Sequence, residues 1–341
     1  MKHTIKQPEL MNGLNNTKYK PNVIISILIL LAVYFAYMLA SFIASIVYFI
    51  IYFAQNPVVL QGSFPDIMQN LMQFATSQDS TLFSFCLEAI FIAFILIEVR
   101  FIEKRPISTL GVTKNRFALH YLIGFGVGAL ILAVNLLPDA LFRWTDLSFN
   151  GFSPVVALFL IGFIFQSACE EFMFRGYLLP LFGRKIGMLW AVMLSSLLFA
   201  LLHIINGDMT ILSVATIFAI GVFLGFYMIR TNNIWGACGI HAAWNFLQGL
   251  VYPIIIGPMT LNYSVISVGD IGFLTQDYGI IGDPAYLISL VIFSAAIGWV
   301  LFAGKNRIVV KKSDVPQNGF SENTADSLAA EPSDYNKGMQ S

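Results

Sequence analysis

Apolar residues in this chain fall in long runs separated by short polar breaks, and reading those runs predicts eight helical spans. They lie at about 23–52, 81–98, 117–137, 154–174, 188–205, 211–229, 233–252 and 285–303. Stretches of roughly 20 apolar residues are long enough for a helix to cross a bilayer. The fourth run is expected to continue to about Phe182, because "GYLLPLF" after Arg175 is still apolar. The first run comes after a polar tail carrying Lys2, Lys6, Lys18 and Lys20 and continues to about Ala54. It is too long for the core of a signal peptide and lacks a clear small-residue cleavage site, so it reads as a retained, tilted helix. The pattern predicts an all-α, polytopic membrane protein with about eight transmembrane helices.

Composition sharpens this. The chain is 57% hydrophobic and 11% charged, with a mean hydropathy of +0.75; soluble domains carry about 25% charged residues. The net charge of zero gives no indication of a nucleic-acid partner, and the bilayer itself is the first expected partner. Cys86, Cys169 and Cys238 all fall in apolar segments and show neither a disulfide framework nor CxxC metal spacing, so they read as buried small hydrophobes.

The position of the basic residues orients the spans. With a cytoplasmic N-terminus, every Lys and Arg except Arg143 falls on the inner side, while loops 55–80 and 253–284 carry no Lys or Arg. Those loops hold Asp66, Asp79, Asp270, Asp277 and Asp283 instead. This bias is the positive-inside pattern, and it predicts that both termini are cytoplasmic. The expected organisation is an N-terminal tail over 1–22, two helices and a basic loop over 23–116, a helical core over 117–304 and a disordered cytoplasmic tail over 305–341. The charge of loop 99–116 is explained by orientation alone.

Several polar groups fall inside the spans: Glu88, Glu170, Glu171, His203, His241 and Asn245, with Arg175 near a span end. Ionisable groups at such depth are costly and call for a partner or a function. Glu170 and Glu171 are adjacent, so on a helix their side chains point roughly 100° apart. Arg175 comes four residues after Glu171, the spacing at which helical side chains meet, and the expected ion pair leaves Glu170 free to face a cavity as a general base. A purely structural charge cluster is the competing reading. Glu171 and His203 lie 16 residues either side of Gly187, so a hairpin turning there brings them to similar depth. His241 and Asn245, four apart, share a helix face. His241 is about 8 residues from its cytoplasmic end and His203 about 15 from its own; at ~1.5 Å per residue that is a mismatch of roughly 10 Å for straight helices. Glu88 receives no role.

The order "EEFMFR", "FALLH", "HAAWN" resembles the three motifs of the CPBP family, the CAAX-protease and bacteriocin-processing or Abi family: EExxxR, FxxxH and HxxxN. Glu170, Glu171, Arg175, Phe199, His203, His241 and Asn245 match every defining position, and the likeness covers roughly 120–252 and extends towards the last span. It implies an intramembrane endopeptidase acting on a membrane-associated or lipidated protein or peptide, in the plasma membrane of a bacterium. By that analogy Glu170 and His203 activate water, and His241 with Asn245 stabilises the oxyanion. A non-catalytic scaffold or bacteriocin-immunity protein that binds a peptide is the alternative. Two histidines and a carboxylate are enough to hold zinc, but no HExxH is present, so a metal-assisted and a metal-free route both stay open.

Overall fold

The computed structural model describes residues 3–5, 10–15, 22–75, 77–142, 147–149, 151, 153–206, 209–251, 266–268, 285–303 and 309–311. Lys2, Lys6, Lys18, Lys20, Arg143, Lys305, Arg307, Lys312 and Lys337 lie outside these, as do Asp270, Asp277, Asp283 and the tail from Lys312 onwards.

A short helix α1 (Leu10–Asn15) precedes α2 (Val23–Gln55). Next come α3 (Phe64–Ala75) and α4 (Gln78–Ile97), the latter extended by a π-helical turn over Glu98–Ile102. After α5 (Phe117–Phe142), α6 (Val155–Glu171) runs through a π-helical segment, Phe172–Leu178, into α7 (Leu179–Ile186). The chain continues as α8 (Met188–His203), α9 (Ile211–Thr231), α10 (Trp235–Phe246) with its π-helical turn Leu247–Val251, and α11 (Ala285–Phe302). A helix thus occupies each of the eight predicted runs. Five are long and apolar enough to cross a membrane, and Met188–His203 and Tyr286–Phe302 are shorter apolar helices. The protein is an all-α, polytopic, integral membrane protein. Its outer face is correspondingly apolar: Ile24, Phe35, Phe42 and Ile50 of α2 are all exposed, as side chains that contact lipid would be.

The fourth run does not stop near Phe182 but reaches Ile186, and Gly187, at φ +79°, turns the chain into α8. A left-handed backbone there is what Gly tolerates and most residues do not. Asn22 caps α2 through Ile24 N at 3.1 Å, and Thr210 with Ser213 forms a capping box on α9.

Two small strand pairs connect distant loops. Strand β1 (His3–Ile5) pairs antiparallel with β4 (Val309–Lys311), and β2 (Leu147–Phe149) pairs with β3 (Ile266–Val268). The first brings residues 3–5 and 309–311 together. The second joins the two connections that the charge pattern assigns to the opposite side. Both pairings are compatible with an even number of crossings. Residues 309–311 therefore depart from the disorder expected of the tail, because β1 satisfies their backbone groups.

Helix α10 is held by an unusually close approach to α5. A Cβ on Gly124 would stand 2.1 Å from the Gly236 carbonyl oxygen, and one on Gly239 would stand 2.1 Å from that of Tyr121. Small residues let membrane helices meet backbone to backbone. This seam sets the depth and rotation of α10, which carries His241 and Asn245. Gly239→Val should therefore lower the thermal unfolding midpoint of the detergent-solubilised protein sharply, since the obstructing atom is backbone and cannot swing aside. An unchanged midpoint would mean that α10 is positioned by other contacts.

A second polar group of side chains is buried where loop 98–113 meets the bundle. The Tyr177 hydroxyl lies 2.8 Å from Glu98 Oε1 and 2.9 Å from Glu103 Oε1, and Ser26 Oγ donates to Glu103 Oε1 at 3.1 Å. Arg105 is bound to Glu103 through Nε and donates from Nη1 to Thr109 Oγ1 at 2.8 Å. All are at least nine-tenths buried. The loop is thus anchored inside the fold as well as carrying orienting charge. Tyr177→Phe should destabilise the protein by about 1–3 kcal/mol, the cost of leaving buried polar groups without a partner. The shift in thermal midpoint against wild type measures it.

Candidate functional site

The end of α6 and the adjoining π-helical segment carry the first motif. Glu171 is fully buried, and its Oε1 accepts from Arg175 Nη1 at 3.0 Å and from His241 Nδ1 at 2.9 Å. The expected four-residue ion pair is present, with a third member from α10. Arg175, also fully buried, stacks its guanidinium 4.3 Å from the Phe199 ring centroid. Its Nη2 has room because residue 221 is glycine: a Cβ there would sit 3.2 Å from Nη2 and 2.9 Å from Ser196 Cβ. Arg175 Nε and Nη2 have no hydrogen-bond partner among the described residues, so Glu171 and the Phe199 face compensate its charge. The extra residue per turn of a π-helical segment rotates the helix beyond it, and such segments recur at functional sites.

Glu170 points elsewhere, as adjacent helical positions must, and its side chain is 25% exposed. Its Oε1 accepts from Gln166 Nε2 at 2.5 Å. Gln166 Oε1 in turn accepts from Asn245 Nδ2 at 2.8 Å. The other carboxylate oxygen, Glu170 Oε2, has no hydrogen-bond partner among the described residues and lies 3.6 Å from His241 Nε2. A carboxylate only accepts, so Glu171 fixes the His241 proton on Nδ1. Neutral His241 then presents an unprotonated Nε2 towards Glu170 Oε2. Two acceptors face each other at a distance too long for a direct hydrogen bond.

His203 is arranged differently. Its Nδ1 donates to the carbonyl of Phe199 one turn earlier, at 2.8 Å, which leaves Nε2 unprotonated in the neutral ring. It makes no hydrogen bond or ion pair with Glu170 or Glu171 among the described residues; the histidine that approaches Glu170 is His241. The aromatic ring of Phe199 joins the two histidines, with centroid separations of 4.6 Å to His203 and 5.8 Å to His241. Phe199, not His203, is level with His241.

All six predicted polar residues converge on one region: Glu170, Glu171 and Arg175 with His241 directly, Asn245 through Gln166, and His203 through Phe199. Gln166 is the functional candidate that sequence reasoning missed. Its signal was available, because an amide four residues before Glu170 in an apolar run obeys the same spacing that identified Arg175. Glu88 on α4 lies within electrostatic reach of Glu170 and Tyr37, and its buried Oε2 has no partner among the described residues. For a metal, the test is convergence. Among the described residues no group of three or more His, Cys, Asp and Glu side chains is placed to hold one. These described residues thus do not form the three-ligand set a catalytic zinc requires.

Residues 152–247 match the family model described as type II CAAX prenyl endopeptidase Rce1-like, a segment that contains all three motifs. An uncharacterised Bacillus subtilis (strain 168) protein, YyaK, is 33% identical over 159 residues. That match covers 43% of this chain and 52% of YyaK, so the chain spans about half the length of this relative. No solved structure gives a significant match. The motif residues gathered at one place thus all fall within residues 152–247, the segment that is similar to the Rce1-like CAAX prenyl endopeptidase family.

Proposed function

We propose that this protein is an intramembrane endopeptidase that hydrolyses a peptide bond in a membrane-associated or lipidated protein or peptide, with Glu170 as general base. The observation that carries this is the gap between Glu170 Oε2 and His241 Nε2, 3.6 Å wide. Both atoms can take a proton, and neither has a hydrogen-bond donor of its own among the described residues. A water lying to one side of this pair, within hydrogen-bond distance of both atoms, can donate one hydrogen to each, and loss of a proton to Glu170 turns that water into a nucleophile.

The surrounding residues divide the remaining work. Glu171, neutralised by Arg175, holds the His241 ring through Nδ1 and keeps Nε2 turned to the water as a hydrogen-bond acceptor. The attacking oxygen adds to the scissile carbonyl carbon, and the proton taken by Glu170 passes to the departing amine nitrogen as the C–N bond breaks. Asn245 donates one N–H to Gln166 and keeps a second for the developing oxyanion. His203, in the imidazolium form that takes its Nε2 proton from solvent, is the further donor for that charge. This assignment exchanges the roles first expected for His203 and His241, and the geometry at Glu170 is what supports the exchange.

The match of residues 152–247 to the family model supports a CAAX-type substrate class. The relative in Bacillus subtilis and the charge pattern support a bacterial plasma membrane location with both termini in the cytoplasm. The test compares new protein N-termini in membranes of cells expressing wild type or Glu170→Gln at equal levels. Cleavage sites that require Glu170 are the expected result. Identical profiles with the candidate lipoproteins expressed would favour a peptide-binding scaffold instead.

A further inference from the structure

We infer that Gln166 is a positioning residue for the reaction: its side-chain amide fixes which oxygen of Glu170 works as the base and which way the Asn245 amide points. The inference rests on the endopeptidase reading above and deepens it. Gln166 lies outside the three motifs, and no motif position requires an amide there.

The hydrogen bonds leave little freedom. Glu170 Oε1 can only accept, so the Gln166 NH2 group must face it, at 2.5 Å. The Gln166 carbonyl oxygen must then face Asn245, which answers with its own NH2 at 2.8 Å. Ser167 Oγ, 3.3 Å from the same oxygen, adds a second donor and no competing acceptor. One amide therefore connects α6 to α10 with a fixed polarity. It occupies Glu170 Oε1, leaving Oε2 as the free oxygen opposite His241 Nε2. It also holds Asn245 with its NH2 group towards the site, so that the unused N–H is available to an oxyanion. A reversed Asn245 amide would present a carbonyl oxygen to the developing negative charge and oppose the reaction. Gln166 touches neither substrate nor water in this scheme; it acts through the two residues that do.

The chemistry of the amide supplies a test that a merely structural residue would not satisfy. A protonated carboxyl offers the same donor and acceptor as an amide, whereas a carboxylate offers acceptors only. In Gln166→Glu, the introduced carboxyl can donate to Glu170 and accept from Asn245 while the pair shares one proton. Once that proton is lost, two carboxylates face each other and the arrangement fails. Gln166→Met keeps the volume and supplies neither bond at any pH.

The experiment measures turnover of a synthetic peptide spanning a Glu170-dependent cleavage site, with the full-length protein in lipid nanodiscs across a pH series. For Gln166→Met we expect kcat lower by about 10- to 100-fold at every pH, the scale of a misplaced catalytic group, with KM within about twofold. For Gln166→Glu we expect turnover near wild type on the acid side and an alkaline fall at least about one pH unit earlier than wild type. The Gln166→Met/Asn245→Ala double variant should lose less than the product of the single losses, because both changes break one connected unit. Parallel pH profiles for wild type and Gln166→Glu, or strictly multiplicative losses in the double variant, would overturn the inference. Should Gln166→Met fail to fold, the near-isosteric Gln166→Glu profile still decides. If cleavage depends on Glu170 but not on Gln166, this inference alone falls; if no cleavage depends on Glu170, the endopeptidase reading falls with it.

Discussion

Arg175→Ala is expected to cost about 3–5 kcal/mol of stability, enough to remove most of the folded protein from membranes, because it strands the Glu171 carboxylate in the interior. The carboxylate and guanidinium are both fully buried and bonded at 3.0 Å. Among the described residues, no other cation is within ion-pairing distance of Glu171 apart from His241, should its ring be protonated. Glu171→Gln should act in the same direction, since it leaves the Arg175 charge facing only the Phe199 ring and two donors that already lack acceptors. The informative comparison is the double variant Glu171→Gln/Arg175→Met, which removes both charges. It should recover part of the loss of either single change, a non-additivity that marks a buried ion pair. Size-exclusion profiles and thermal midpoints in detergent read this out. Strict additivity would mean that the two charges are compensated separately.

Glu170→Gln has the opposite signature. Gln166 can still donate to the oxygen of the introduced amide, and the new NH2 group would face the unprotonated Nε2 of His241, replacing two opposed acceptors by a donor and an acceptor. Folded yield and thermal midpoint should equal or exceed those of wild type, while turnover falls by about 10²–10⁴-fold, the range for removal of a general base. On the proposed function, a site that would favour an amide electrostatically yet carries a carboxylate has given up stability for proton transfer. Loss of fold in Glu170→Gln would instead make Glu170 part of the structural cluster. KM should change little, because the carboxylate is asked to act on water and not to bind the substrate.

Much of this arrangement was legible in the sequence. Length and hydropathy located eight helices because a bilayer selects long apolar runs regardless of how they pack. Four-residue spacing identified the Glu171–Arg175 pair, since both members lie on one continuous helical path. The sequence could not show which histidine faces Glu170. That depends on how far α10 slides along α5, and the glycine seam at Gly124 and Gly239 decides it through backbone contacts between residues more than a hundred positions apart. Symmetry about Gly187 placed His203 level with Glu171, whereas the contact from α8 is made by Phe199, against Arg175 and Phe174 just beyond the glutamates. The π-helical segment Phe172–Leu178 inserts an extra residue that no spacing rule for α-helices contains. The buried Tyr177–Glu98–Glu103–Arg105 group was equally hidden, because a loop of mixed charge reads as solvated until a hydroxyl from another helix is seen to reach it.

Whether Glu170 activates water for peptide-bond hydrolysis inside the membrane is decided by purified wild type and Glu170→Gln in nanodiscs. The two proteins, matched for thermal midpoint, act on a peptide that spans a cleavage site mapped in membranes. Wild type should cut that bond, and the variant should do so at a rate at least about 100-fold lower. Equal rates from the two proteins would remove Glu170 from the chemistry and leave it a structural charge.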